Sequence, residues 1–187
     1  MLPANAVPTP QSILIVHAHP APHVSRANRV LAQAASVLPY TTLHEIYSHY
    51  PGMFIDVRRE QELLLAHDIV VLQHPFYWYS MPALLKEWVD LVLEHGWAYG
   101  PGGERLAGKR WSHAISTGGA RDTYCGTGSN RYEIEDYMRP LEQTARLCGM
   151  RWCEPFISHA PRVLDEAGLA SEATRYCRWL DQLRSES

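Results

Sequence analysis

The chain has 187 residues, 46% of them hydrophobic and 20% charged, and a formal net charge of −3. That length and composition are ordinary for one globular domain with a full core. The charge argues against nucleic acid or anionic lipid as a general partner, and no apolar run approaches the ~20 residues of a membrane helix.

Residues 1–10 carry three prolines and no periodicity, so 1–11 are expected to form a tail ahead of a single domain at 12–187. The start lacks the basic residues and apolar stretch of an export signal, so a cytoplasmic protein is expected, with any membrane association peripheral. Residues 12–17 read as a first strand. Ser25 can cap a helix through Arg29, Leu31 and Ala34 to about Val37. Residues 41–46 are a second strand, followed by an irregular aromatic and Pro–Gly segment. Asp56 can cap a second helix to about His67. The β-branched run 69–73 has the length of a buried parallel strand. Pro82 suits the first turn of a helix over 82–94, with Leu84, Leu85, Trp88, Val89 and Val92 as its apolar stripe. A glycine-rich loop at 96–108 leads to a fourth strand at 111–116. A helix follows over 131–148, with Pro140 starting or kinking it, then a fifth strand at 151–158 and a last helix at 165–183. Cys125, Cys148, Cys153 and Cys177 form no C-x-x-C pair and read as reduced thiols.

Five strand–helix units imply an α/β doubly wound parallel sheet with helices on both faces. At this length the natural solution is the flavodoxin-like order 2-1-3-4-5, with its switch point between strands 1 and 3. The loops after strands 1, 3 and 4 should then meet a ligand. In the first, 17–28, a helix N-terminus favours an anion, and Ser25, Asn28 and His19 can add polar contacts to a flavin phosphate. Ser25 as a simple helix cap is the plain alternative. Metal binding by His17, His19 and His23 is a further one, although no acidic residue accompanies them and strand alternation sets residue 18 opposite 17 and 19. The second loop concentrates Phe76, Tyr77, Trp78 and Tyr79 at a strand's carboxyl end, which suits a flat π-rich ligand such as a flavin; a core cluster or dimer interface would also use them. In the third, Gly118 and Gly119 let backbone approach a planar ring, or merely form a turn. No G-x-G-x-x-G or G-x-x-x-x-G-K-[ST] occurs, which argues against dinucleotide-binding Rossmann and P-loop proteins. The first loop lacks the Ser/Thr-rich phosphate loop of electron-transfer flavodoxins, so a one-electron carrier is disfavoured.

Taken together in order, the segments 17–20 with 25–28, 73–79, 82–88 and 116–119 resemble the NAD(P)H:quinone oxidoreductase family. The segments 49–51, 54–56, 59–61, 100–103 and 106–109 are most similar to its bacterial branch, the ancillary proteins of the Kef glutathione-gated potassium-efflux systems. The resemblance covers roughly residues 12–183. It implies a homodimer with flavin at the subunit interface, hydride transfer from NAD(P)H to flavin N5, and two-electron reduction of a quinone in a ping-pong cycle. It implies FMN, with FAD as the alternative. The implied flavin contacts are His19, Ser25, Arg26, Ala27, Asn28, Phe76, Tyr77, Trp78, Tyr79, Thr117, Gly118, Gly119 and Ala120. Tyr124 matches a catalytic tyrosine at the active-site rim, and Asn130 stands where mammalian members carry histidine. A membrane potassium-efflux antiporter, met at its cytoplasmic face on the inner membrane, is the implied partner. Three readings follow: a quinone reductase, a non-catalytic flavin-binding regulatory subunit of the antiporter, and, distantly, a histidine-ligated metal hydrolase.

Overall fold

The structure is a computed structural model and describes residues 10–185. The expected tail lies, for residues 1–9, outside the described residues. The elements in chain order are β1 (Ile13–His17), α1 (Ala27–Ser36), β2 (Thr41–Glu45), α2 (Ile46–His49), α3 (Val57–Ala66), β3 (Ile69–Pro75), α4 (Ala83–Val92), β4 (Arg110–Thr117), α5 (Ile134–Leu147), β5 (Arg151–Trp152), β6 (Phe156–His159) and α6 (Glu166–Ser185). All strand pairs are parallel, in the order β2-β1-β3-β4-β5, with β6 also on β4. This is the doubly wound order expected from the alternation of elements.

The two central strands are buried along their whole length, as parallel strands covered on both faces must be. Alternation sorts their side chains into two cores. Leu14, Val16, Val70, Leu72 and Trp111 pack with Leu64, Leu84, Leu85, Trp88, Val92 and Ala145 from α3, α4 and α5. Ile13, Ile15, Ile69, Val71, Ala114 and Phe156 pack with Leu31, Ala35, Ala173, Tyr176 and Leu180 from α1 and α6.

Two buried polar clusters interrupt the first core. Glu60 on α3 is fully buried and accepts from Tyr50 Oη at 2.5 Å, Trp88 Nε1 at 2.7 Å and His44 Nε2 at 2.9 Å. Burial pushes its carboxyl up, but these hydrogen bonds outweigh burial and hold it below the usual carboxylate range. The second cluster is a directed chain. Trp111 Nε1–H can only donate, and it donates to His113 Nε2 at 3.1 Å. His113 Nδ1 therefore carries the proton and donates to His74 Nε2 at 3.1 Å; His74 Nδ1 in turn donates to the Pro75 carbonyl at 3.0 Å. Every ring nitrogen is used, and both imidazoles are neutral. Burial depresses His74 to about 4 and His113 well below its ordinary value.

The boundaries differ from the sequence reading where local chemistry intervenes. Asp56 does cap α3, accepting from Arg59 N–H at 3.1 Å. Ser25 does not cap α1: the helix starts at Ala27 behind Arg26, with no side-chain cap. Ile46 leaves the second strand to begin α2, a single turn. Pro82 precedes α4 rather than entering it. The fourth helix starts at Ile134, because Arg131 has φ of 62°, outside the helical region. Pro140 lies inside α5. The fifth strand is broken: Arg110 pairs with Arg151 and Trp111 with Trp152, but Ala114 pairs with Phe156. One extra residue is absorbed at 153–155, where Ser112 Oγ donates to the carbonyls of Cys153 and Glu154, each at 3.1 Å. Pro155 cannot donate to the ladder there.

Candidate functional site

At the carboxyl end of the sheet, the loops after β1, β3, β4 and β6 enclose a cleft of about 350 Å³. Its lining includes His19, Ser25, Arg26, Ala27, Asn28, Phe76, Tyr77, Thr117 and Gly118. The cleft falls at the switch point between β1 and β3, where this topology leaves a crevice.

One end is built for an anion. The first helical bond of α1 runs from Val30 N–H to the Arg26 carbonyl, so the N–H groups of Ala27, Asn28 and Arg29 precede the ladder and remain free to bind. Ser25 is buried, and its hydroxyl engages no other described residue. His19 Nδ1 accepts from Ala21 N–H at 3.1 Å, so the neutral ring carries its proton on Nε2 as a donor. Burial depresses the basicity of His19 and keeps it in that form. Arg26 and Arg162 stand at the mouth. Asn28 is 3% exposed; its Nδ2 donates to Ser116 Oγ at 2.7 Å, while Oδ1 is buried without a partner. A lone buried acceptor in a cleft calls for a donor on the ligand, such as the hydroxyls of a sugar-like chain.

The other end is flat. Gly118 lines the cleft, and a Cβ added there would meet nothing within 4 Å. Phe76 and Tyr77 form a wall. The next two residues form the tip of a tight turn, closed by Ser80 N–H to the Tyr77 carbonyl at 3.0 Å, with φ of 50° at Trp78 and 62° at Tyr79. Left-handed backbone at two consecutive aromatics is strained. Tyr79 stacks on Tyr137 at 5.1 Å, while Trp78 is 92% exposed. Free N–H donors, a lone acceptor and a flat open slot together fit a phosphate-bearing flavin.

The remaining expected residues lie outside the cleft lining. Ala120 is exposed at the start of a 3-10 turn, Arg121–Thr123. Gly119 faces inward: a Cβ there would sit 2.6 Å from Thr123 Oγ1 and 3.2 Å from Tyr124 and Asn130. Its lack of a side chain lets this loop close on itself. Tyr124 is 6% exposed in this chain rather than at an open rim. Its ring lies near Phe76, Tyr137 and His159. Burial raises its pKa, so the phenol stays protonated. Tyr124 and His159 also line a second, polar cavity of about 220 Å³. Asn130 is occupied with its loop: Nδ2 donates to Thr123 Oγ1 at 2.8 Å, and its carbonyl accepts from Tyr137 Oη at 2.6 Å.

Pro161 and Arg162 join the lining from the loop after β6. Sequence reasoning missed them, although that loop also leaves the sheet at a strand's carboxyl end. The three histidines of the first loop do not converge: His17 Nδ1 faces Glu45 Oε1 at 3.4 Å, while His19 turns to Ala21. Among the described residues no three His, Cys, Asp or Glu side chains form a metal-ligand group.

Sequence and fold comparisons agree with this architecture. The chain belongs to the flavodoxin-like fold family, whose model matches residues 11–180, and within it to the ancillary proteins of potassium-efflux systems. It is 51% identical over 171 residues to the glutathione-regulated potassium-efflux system ancillary protein KefG of Pectobacterium carotovorum, covering 91% of this chain and 93% of that one. Among solved structures, general stress protein 14 of Treponema denticola in complex with FMN matches with a TM-score of 0.86 and 36% identity, over 92% of this chain and 99% of that chain. An NADPH-quinone reductase from P. pentosaceus matches at 0.82 and 28%, over 90% and 96%. A protein described as a thermophilic tryptophan halogenase of Streptomycin violaceusniger matches at 0.88 and 37%, over 93% and 99%.

Proposed function

We propose that this chain is an FMN-dependent NAD(P)H:quinone oxidoreductase that works as a homodimer beside a potassium-efflux antiporter. The observation that carries this is the cleft in which a helix N-terminus meets a flat slot between the Phe76–Tyr77 wall and Gly118. Bound FMN supplies reversible two-electron hydride transfer, from NAD(P)H in one half-reaction and to a quinone in the other. The chain's own residues bind, orient and donate. The free N–H groups of Ala27, Asn28 and Arg29, with Ser25, His19 and Arg26, hold the phosphate. The Asn28 Oδ1 accepts from the ribityl chain. Phe76, Tyr77, Thr117 and Gly118 border the ring. Tyr124, kept protonated by burial, donates a hydrogen bond towards the quinone oxygen as it gains negative charge. Asn130 has no titratable proton to relay, so solvent completes the protonation.

The copies of KefG among the relatives are named as ancillary proteins, which supports an antiporter partner. No helix among the described residues is long and apolar enough to cross a membrane, so that association is proposed as peripheral. Exposed Phe54, Trp78, Tyr79 and Tyr132 support burial against a second copy. The test is reconstitution with FMN, desalting and an absorbance spectrum, followed by NAD(P)H oxidation at varied quinone concentration. A flavin spectrum and parallel double-reciprocal lines are expected. A colourless protein that also refuses FAD overturns the reading. The purely regulatory reading predicts a flavin spectrum without turnover, and antiporter activation by a catalytically dead variant.

A further inference from the structure

The N-terminus of α1 is anchored from beneath by a relay whose members come from α6, β3, α1 and β4 rather than from the ligand loops. Tyr176 of α6, fully buried, donates from its hydroxyl to Gln73 Oε1 at 3.0 Å. Gln73 of β3, also fully buried, donates from Nε2 to the Asn28 carbonyl at 2.9 Å. Asn28 in turn donates to Ser116 at the end of β4. Carbonyls within a helix already accept from the N–H four residues on, so Gln73 takes the second lone pair of this one.

Stability alone gives little reason for this arrangement. Gln73 and Tyr176 lie against the apolar core of Val71, Phe156 and Leu180, where an apolar pair would fill the same space without desolvating an amide and a phenol. What the relay adds is direction. It ties the first turn of α1 to two strands and to α6, and so fixes the aim of the N–H groups of Ala27, Asn28 and Arg29. The buried, unpartnered Asn28 Oδ1 marks the same turn as the ligand-facing one.

We propose that Gln73, held by Tyr176, is a positioning residue that aims the first turn of α1 at the phosphate monoester of the bound ligand. This rests on the FMN reading above. FMN and riboflavin differ by that phosphate alone, so their affinities separate the proposal from general stability. Both are measured by quenching of flavin fluorescence for the wild type, Tyr176→Phe, Gln73→Leu and the double variant. Gln73→Leu should weaken FMN binding about tenfold and Tyr176→Phe about threefold, the size of one displaced hydrogen bond. Riboflavin, which meets that turn only through Asn28 Oδ1, should lose clearly less than FMN with each variant, about threefold at most for Gln73→Leu. The double variant should bind FMN no worse than Gln73→Leu, because Tyr176 acts through Gln73. Tyr176→Phe keeps its ring and tests the idea even if Gln73→Leu misfolds. Equal losses for both flavins, or additive losses for FMN, overturn the proposal. A wild type that binds FMN no more tightly than riboflavin overturns it while leaving flavin binding intact; a wild type that binds neither overturns both.

Discussion

Gly118 and Gly119 are neighbours in sequence with different duties. Gly118 opens onto the cleft, and Gly119 closes the loop against Thr123 and Tyr124. Gly118→Val should therefore weaken flavin binding at least about tenfold while thermal stability is nearly unchanged. Gly119→Val should lower the melting temperature as well, since Thr123, Tyr124 and Asn130 must all shift. Flavin titration beside a thermal melt separates the two; equal melting temperatures would contradict the division. Tyr124 can be judged by its half-reactions. Tyr124→Phe should slow reoxidation by quinone and leave reduction by NAD(P)H nearly unaltered. Loss of one transition-state donor costs on the order of 2–4 kcal/mol in enclosed sites, and water reaching a bound quinone trims that. Stopped-flow traces that coincide in the quinone step would remove Tyr124 from the mechanism.

Between elements, the Trp111–His113–His74 chain ties β4 to β3 and ends on the Pro75 carbonyl, next to the aromatic wall of the cleft. It functions only when neutral. Unfolded imidazoles titrate near 6.5, whereas folded His74 titrates at about 4. Unfolding therefore takes up a proton in that window. Stability is complete above pH 6.5, falls as pH drops below it, and levels off once pH passes about 4. From pH 7.5 to pH 5, His74 alone should cost about 2 kcal/mol, with His113 adding in the same direction. Glu60, whose carboxyl is held low, loses its contribution only in more acid solution. Urea unfolding at the two pH values checks this, and His74→Leu should flatten the dependence. An unchanged unfolding free energy in the wild type would contradict the neutral chain.

For the whole molecule, sedimentation at micromolar concentration should give a dimer, with Trp78 fluorescence shifted to the blue relative to an exposed indole. A monomer that turns over quinone would contradict an interface site. The layered order and the three ligand loops were legible because period-2 burial, capping residues and Pro–Gly punctuation are local signals. Asp56 announced the start of α3 from sequence alone. Ser25 reads in sequence either as a ligand contact or as a helix cap, and only the fold removes the cap: the helix starts at Ala27, and Ser25 lines the cleft. Gln73, His74 and His113 read as ordinary strand positions, because partners that tie them into the fold lie 39 to 103 residues away in other elements or across the sheet. Nothing local signals such pairings. Arg162 stayed hidden for the same reason.

The one-residue offset between β5 and β6 makes the length of segment 153–155 a counting constraint. Alternation sends Phe156 to the α6 side only because the offset changes parity. It also brings His159 abreast of Thr117, where Nδ1 meets Oγ1 at 3.3 Å. Removing Glu154, an exposed residue, would turn Phe156 away from Tyr176 and carry His159 past Thr117. A single deletion there should leave the protein insoluble or non-cooperative in melting, whereas point substitutions of exposed Glu154 should be tolerated. Inserting two residues preserves parity and should be far milder than inserting one. A set of such length variants, scored by soluble yield and melting, would show an odd–even alternation that no ordinary surface loop displays.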